Sequence, residues 1–270
     1  MRRVRLAVFP ALGLAAATLS WSLVTVAAQA PPAPASAAPF TGGRSWVGHE
    51  KELEDFIKNV EVGKIDDISV GVTHPKRVHL APGGMVEMIA FKPLKPGIYE
   101  GFWESYKAEI AAYEMDKLLD LHMVPPTVEK RVKGDLGAAV MWIAPTKSFK
   151  ELGGVPNPPA DKIETWNKQI VRAKMFDDLI ANKDPNLGNW LLDPDWNVVL
   201  IDHSRCFTST KDLTHQLTKV DGEFWDKMKT LTIESLTASP VGQWLKKDEI
   251  KGVIERRDKM DKIIEKLPRT

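Results

Sequence analysis

Two short apolar runs joined by a four-residue turn constrain this chain more than any other feature. Trp190-Leu191-Leu192 leads into Asp193-Pro194-Asp195-Trp196, and Asn197 to Ile201 returns. So short a connection between apolar runs predicts antiparallel pairing. That pairing carries Asp202, just past the second run, opposite the approach to Asn189, just before the first. A carboxylate and an amide oxygen presented together suit a hard divalent cation that also keeps other oxygens in its shell. Asp184 lies earlier in the same loop, among Pro185 and Gly188. It is free to face a substrate, where it could orient or deprotonate a hydroxyl.

Upstream, the pattern changes period several times. A short helix is expected over Glu52 to Ile57. Ile65 to Val72 and Arg77 to Leu80 read as strands, Ala81 to Gly84 as a turn, and Met85 to Phe91 as a strand that delivers Lys92 at its end. The clearest helix runs from Glu104 to Leu121. Ala108, Ala111, Ala112, Met115, Leu118 and Leu119 fall on one face at about 100° per residue, with Glu109 and Asp116 sharing one flank. Val124-Pro125-Pro126 forces an extended exit. Thr127 to Val132 and Gly137 to Ile143 then form two strands around Lys133-Gly134-Asp135. After a Pro- and Gly-rich loop, Asp161 is placed to cap a long helix reaching Ala181, and beyond Phe207 the chain reads as helical. No internal repeat is visible.

The first thirty residues read as an export address. Arg2, Arg3 and Arg5 form a basic n-region, Leu6 to Ala28 is mainly apolar, and Ala28-Gln29-Ala30 is a small-x-small cleavage site. Roughly twenty apolar residues can also span a bilayer, so anchoring through residues 6–28 stands as the alternative to cleavage. No Cys follows the apolar run, which argues against a lipoprotein. Residues 31–45 are rich in Pro and Ala and read as an extended tether.

Composition removes several function classes. The 37 basic and 36 acidic side chains nearly cancel, and no basic stripe interleaves with aromatics, so nucleic acid is not expected as a partner. The six His show no HExxH or similar ligand spacing, which argues against a zinc enzyme. Cys206 is the single cysteine, so no intrachain disulfide forms and stability must come from the core. It is expected to be a buried small residue. Nine Trp in a chain that is 43% hydrophobic point to a well-filled interior.

Taken singly, Lys92 reads as a strand-end lysine, Glu109 as a surface helix acid, Asp184-Pro185-Asn186 as a good turn and Asp202 as a strand terminator. Their joint order is harder to obtain by chance. Lys92 on a strand, Glu109 in Tyr106-Lys-Ala-Glu109, Val124-Pro125-Pro126, Asn182-x-Asp184 with Asn189, and Ile201-Asp202-His203 together resemble the secretory-pathway kinase family. The resemblance covers roughly residues 60 to 210. It implies an α+β fold of two lobes: a strand-rich N-lobe with one long helix over residues 46–143, and a helical C-lobe with a metal-binding hairpin over 144–270.

The same resemblance implies ATP and Mg²⁺ or Mn²⁺ as cofactors and a protein or glycan hydroxyl as acceptor. Lys92 would contact the nucleotide phosphates, and Glu109 would pair with Lys92 or help hold a metal. Asp184 resembles the catalytic acid, and Asn189 and Asp202 the metal ligands. Met141, Trp142 and Ile143 would line the adenine pocket, and Gly71 would lie in the turn over the phosphates. This chain departs from the pattern at Pro185, where many relatives carry Arg, and at His203-Ser204. A pseudokinase that binds a partner without turnover, and transfer of AMP from the same cleft, are the alternatives. Oligomeric state is not legible in the sequence.

Overall fold

A computed structural model describes residue 40, residues 44–68 and residues 75–270. The export segment, most of the tether and Gly71 with its neighbours lie outside the described residues. The chain enters the fold before Trp46: the Phe40 N–H donates to Met85 O (2.8 Å), and Arg44 donates to the Gln169 amide oxygen at 2.5 Å.

Helix α1 (Glu50–Asn59) lays Leu53 and Ile57 on the first sheet. Strands β1 (Val62–Asp67), β2 (Lys76–Leu80) and β3 (Met88–Lys92) follow. A hairpin of β4 (Gly97–Tyr99) and β5 (Phe102–Glu104) then leads into α2 (Tyr106–Leu118). Strands β6 (Thr127–Val132) and β7 (Asp135–Met141) complete a five-stranded antiparallel sheet ordered β1-β2-β3-β7-β6. Both tight hairpins turn on two consecutive residues with positive φ, Glu100-Gly101 and Lys133-Gly134. That backbone matches the right-handed twist of the strands it joins. It is why β7 starts at Asp135, two residues before the sequence pattern places it.

The remaining elements form the helical half. Strand β8 (Lys147–Ser148) precedes α3 (Ile163–Ile180), and β9 (Trp190–Leu192) and β10 (Val198–Leu200) make the expected hairpin, in a three-stranded sheet ordered β10-β9-β8. Helices α4 (Gly222–Lys229), α5 (Ile233–Ala238) and α6 (Lys247–Ile264) close the fold. Among the described residues no helix is long and apolar enough to cross a membrane.

Strand β10 explains how the halves join. Val198 and Leu200 are buried in the core built on α2, α3 and α6, whereas Val199 is buried in the core built on the five-stranded sheet and α1. A period of two on a strand sends alternate side chains to opposite faces. All three are apolar because both faces are covered.

Four sequence expectations shift. Helix α2 begins at Tyr106, because Ser105 caps it by accepting the Lys107 N–H (3.1 Å) while Glu104 still pairs with Gly97 in the hairpin. Such a cap is worth about 1 kcal/mol. The helix stops at Leu118, which is 42% exposed, while Glu109 and Asp116 are buried, since neighbours cover α2 on nearly every side. Asp161 sits inside a 3-10 turn (Ala160–Lys162) and caps nothing, leaving Ile163 48% exposed. After Phe207 the chain stays irregular as far as Asp221, which caps α4 by accepting the Phe224 N–H (2.8 Å).

Candidate functional site

Lys92 is the last residue of β3 and pairs with Ala138 of β7. Its Nζ donates to Glu109 Oε1 (2.5 Å) and to Asp202 Oδ1 (2.8 Å). Burial by itself would favour the neutral amine, but Asp202 and Glu109 outweigh it and raise the Lys92 pKa above the ordinary lysine range. Burial likewise opposes ionisation of Asp202, and the charge and hydrogen bond of Lys92 hold its carboxyl below the usual value. Glu109 is buried in the first turn of α2 and accepts the His203 N–H on Oε2 (3.0 Å). Both its oxygens are thus committed, and the pairing role is the one its geometry fills.

The Asp184 loop is shaped by asparagines. Helix α3 ends at Ala181 in the left-handed conformation (φ 53°). Asn182 then donates to Asp177 Oδ1 (2.8 Å) and accepts the Asp184 N–H (3.0 Å), a turn in which the side chain mimics backbone. Asn186 Oδ1 accepts the Gly188 N–H (2.7 Å), and the Asn189 amide donates to Asp184 O (3.0 Å). The Asp184 carboxylate itself accepts from Asn186 Nδ2 (2.7 Å) on Oδ1 and from Arg205 Nη1 (3.3 Å) on Oδ2. Across the hairpin, the Ile201 N–H donates to Asn189 O (3.0 Å), extending the pairing one step beyond the strands. Asp202 follows at φ 64°, so the strand stops there.

These bonds define the oxygens left over. Asp202 uses Oδ1 for Lys92 and Ser204, and Asn189 uses its Nδ2, which leaves Asp202 Oδ2 and Asn189 Oδ1 without a hydrogen-bond partner among the described residues. The Asp202 side chain is 35% exposed. Two oxygen donors, one anionic, fit Mg²⁺ or Mn²⁺ with substrate oxygens and water completing the shell. Among the described residues no group of three or more His, Cys, Asp or Glu is arranged to hold a metal. Any ion here therefore depends on the Asn189 amide and on its ligand.

Lys92 and Asp202 stand in the lining of a cleft of about 290 Å³ with Met141, Trp142, Ile143 and Leu191. The Trp142 N–H donates to Met88 O (3.1 Å), and Arg77 lies 4.4 Å over the Trp142 ring. Asp184 and Asn189 do not line this cleft; they stand beside it, joined through the Ile201 bond. The structure thus gathers Lys92, Asp202, Met141, Trp142 and Ile143 at one cleft, with Glu109 buried behind Lys92 and Asp184 and Asn189 adjoining, and says nothing of Gly71.

Sequence reasoning missed four residues here. Glu104 is fully buried and accepts Arg205 Nε (2.8 Å), while Glu151 lines the cleft. Gly137 is packed against Lys92, where an added Cβ would lie 2.4 Å from Lys92 O. The small residue next to the strand pair was a signal for that approach; the pairing of Arg205 with Glu104, 101 positions away, left none.

No protein-family model matches the sequence, and no curated protein does. Solved structures do match in fold. The Golgi casein kinase with Mn and ADP bound aligns with a TM-score of 0.59 at 14% identity, over 81% of this chain and 76% of that one. Hydra Fam20 with sugar aligns with a TM-score of 0.59 at 15% identity, over 81% of this chain and 89% of that one. The two-lobed kinase-like fold is thus shared by proteins of very different sequence.

Proposed function

We propose that this chain, which has the kinase-like fold of the Golgi casein kinase, is an ATP-dependent phosphotransferase acting on a hydroxyl of a protein or glycan outside the cytoplasm. The observation that carries the reading is Lys92 held between Glu109 and Asp202 at the wall of a mostly apolar cleft, with Asp184 and Asn189 adjoining. A buried ammonium kept charged by two carboxylates is a fixed positive centre for phosphate oxygens, and fixed charge needs little reorganisation during transfer. Asp202 and Asn189 would hold a divalent ion, whose contribution is charge neutralisation on the phosphates. The Golgi casein kinase was solved with Mn and ADP, which supports the same pair of ligands here. Export rests on the basic and apolar segment of residues 1–30.

The test uses the full chain with ATP and Mn²⁺ or Mg²⁺. At 100 times its Kd a ligand stabilises by about 2.7 kcal/mol. At roughly 2–4 °C per kcal/mol for a domain of this size, Tm rises by about 5–10 °C. Asp202→Ala should abolish the metal-dependent part of that rise. Asp184→Ala should keep it and lose phosphate transfer. Stabilisation of the wild type without turnover supports the pseudokinase, and release of pyrophosphate supports AMP transfer. Absence of any nucleotide-induced shift with either metal refutes both enzymatic readings.

A further inference from the structure

Asp184 stands between Lys183, whose side chain is exposed, and Pro185. Its one ion-pair partner among the described residues is Arg205, three positions beyond Asp202. Arg205 is held on three sides. Its Nε donates to Glu104 Oε1 (2.8 Å), its guanidinium carbon lies 4.4 Å over the Phe102 ring, and its Nη1 donates to Asp184 Oδ2 (3.3 Å). Glu104 is fully buried and its second oxygen accepts from Ser204 Oγ (3.3 Å), so the anchor cannot turn away into water. Phe102 and Glu104 both belong to β5, whose register is set by the Glu100-Gly101 turn.

We propose that Arg205, anchored by Glu104 and Phe102 of the β4–β5 hairpin, is the positioning residue that orients the Asp184 carboxylate for phosphoryl transfer. The proposal rests on the phosphotransferase reading. In that reaction the acceptor oxygen bonds to the γ-phosphorus. The bond from that phosphorus to the bridging oxygen breaks, with its electron pair leaving on ADP. The acceptor's proton passes to a carboxylate oxygen of Asp184. Asp184 is on a loop and partly exposed, so its orientation needs external support. Asn186 fixes one oxygen and Arg205 the other. A planar guanidinium can meet Glu104 at one edge and Asp184 at another while lying flat on Phe102. A lysine at this position could not make all three contacts.

The test measures phosphate release from Mn²⁺-ATP with water as the acceptor, in the full chain. Arg205→Ala should lower kcat by about a hundredfold, the scale expected when a reacting group is misplaced by about 1 Å. The KM for ATP should stay within about twofold, since Arg205 is absent from the cleft lining. Methylguanidinium should recover part of the kcat of Arg205→Ala and none of that of Asp184→Ala, and Arg205→Lys should remain impaired. A merely structural residue would not give that pattern. An unchanged kcat, or a raised KM with kcat intact, overturns the proposal.

A second measurement separates it from the reading it rests on. Melting of Arg205→Ala, Asp184→Ala and the double variant should show Tm changes that do not add. Additive changes overturn the proposal whatever the turnover. Non-additive changes in a protein whose wild type releases no phosphate uphold the contact and refute the phosphotransferase reading.

Discussion

Replacing Lys92 by Met tests the electrostatic centre of the fold. Met keeps much of the volume and removes the ammonium that Glu109 and Asp202 share at 2.5 and 2.8 Å. Breaking a buried ion pair from one side costs about 3–5 kcal/mol, because a charge is left without its partner. Water can reach Asp202, whose side chain is 35% exposed, but not Glu109, at 3%. Screening at Asp202 places the expected cost at the lower end, about 3 kcal/mol. For a domain of this size that lowers Tm by roughly 6–12 °C, measured by circular dichroism.

The dependence on pH follows from the two shifts. Lys92 is raised in the fold, so its contribution is complete below the unfolded lysine value of about 10.4 and is lost as pH rises through the higher folded value. Asp202 is lowered, so its contribution is complete above about 3.9 and is lost as pH falls through the lower folded value. The gap between wild type and Lys92→Met should therefore be flat from roughly pH 5 to 9 and close in acid. Lys92→Met combined with Glu109→Leu should recover much of the loss, since the buried charge goes with its partner. A single variant as stable as wild type, or a double variant no better than the single, refutes the reasoning.

Two further outcomes concern residues that support the site. Lys130 of β6 is buried and donates to Ile57 O (2.8 Å), Lys58 O (3.0 Å) and Val60 O (2.9 Å), closing the end of α1. Lys130→Met should cost about 2–3 kcal/mol and speed amide exchange in the last turn of α1, read by hydrogen exchange with mass spectrometry. Unchanged exchange there would contradict that role. Gly137→Ala puts a methyl 2.4 Å from Lys92 O and 2.7 Å from Pro93 Cα, both backbone atoms. It should destabilise by about 1–3 kcal/mol and displace Lys92, so that Mn²⁺-ATP no longer raises Tm; a retained shift would show that β3 can give way.

The legible parts of this fold are those decided by local chain geometry. The turn Asp193 to Trp196 settles the hairpin's register, and with it the approach of Asp202 to Asn189. Lys92 and the helix bearing Glu109 are legible because each lies at a change of period. Where tertiary contact decides, the pattern misleads. Leu118 carries the right period for burial and is exposed because the helix ends there, while Asp116 is buried because its carboxylate accepts the N–H groups of His122 (3.1 Å), Met123 (2.8 Å) and Val124 (3.0 Å). The β4–β5 hairpin has three residues per strand, too few for alternation to register. Arg205 could not be found from spacing, because its partners are brought to it from two separate places, Glu104 on β5 and Asp184 on the loop after α3.

Three bonds, two of them at the candidate site, share one mechanical consequence. The Ser105 N–H donates to Ser204 O (3.0 Å), Arg205 grips Glu104, and the His203 N–H donates to Glu109. Together they rivet the start of α2 to the segment that follows β10. Displacing the start of that helix would break all three bonds together.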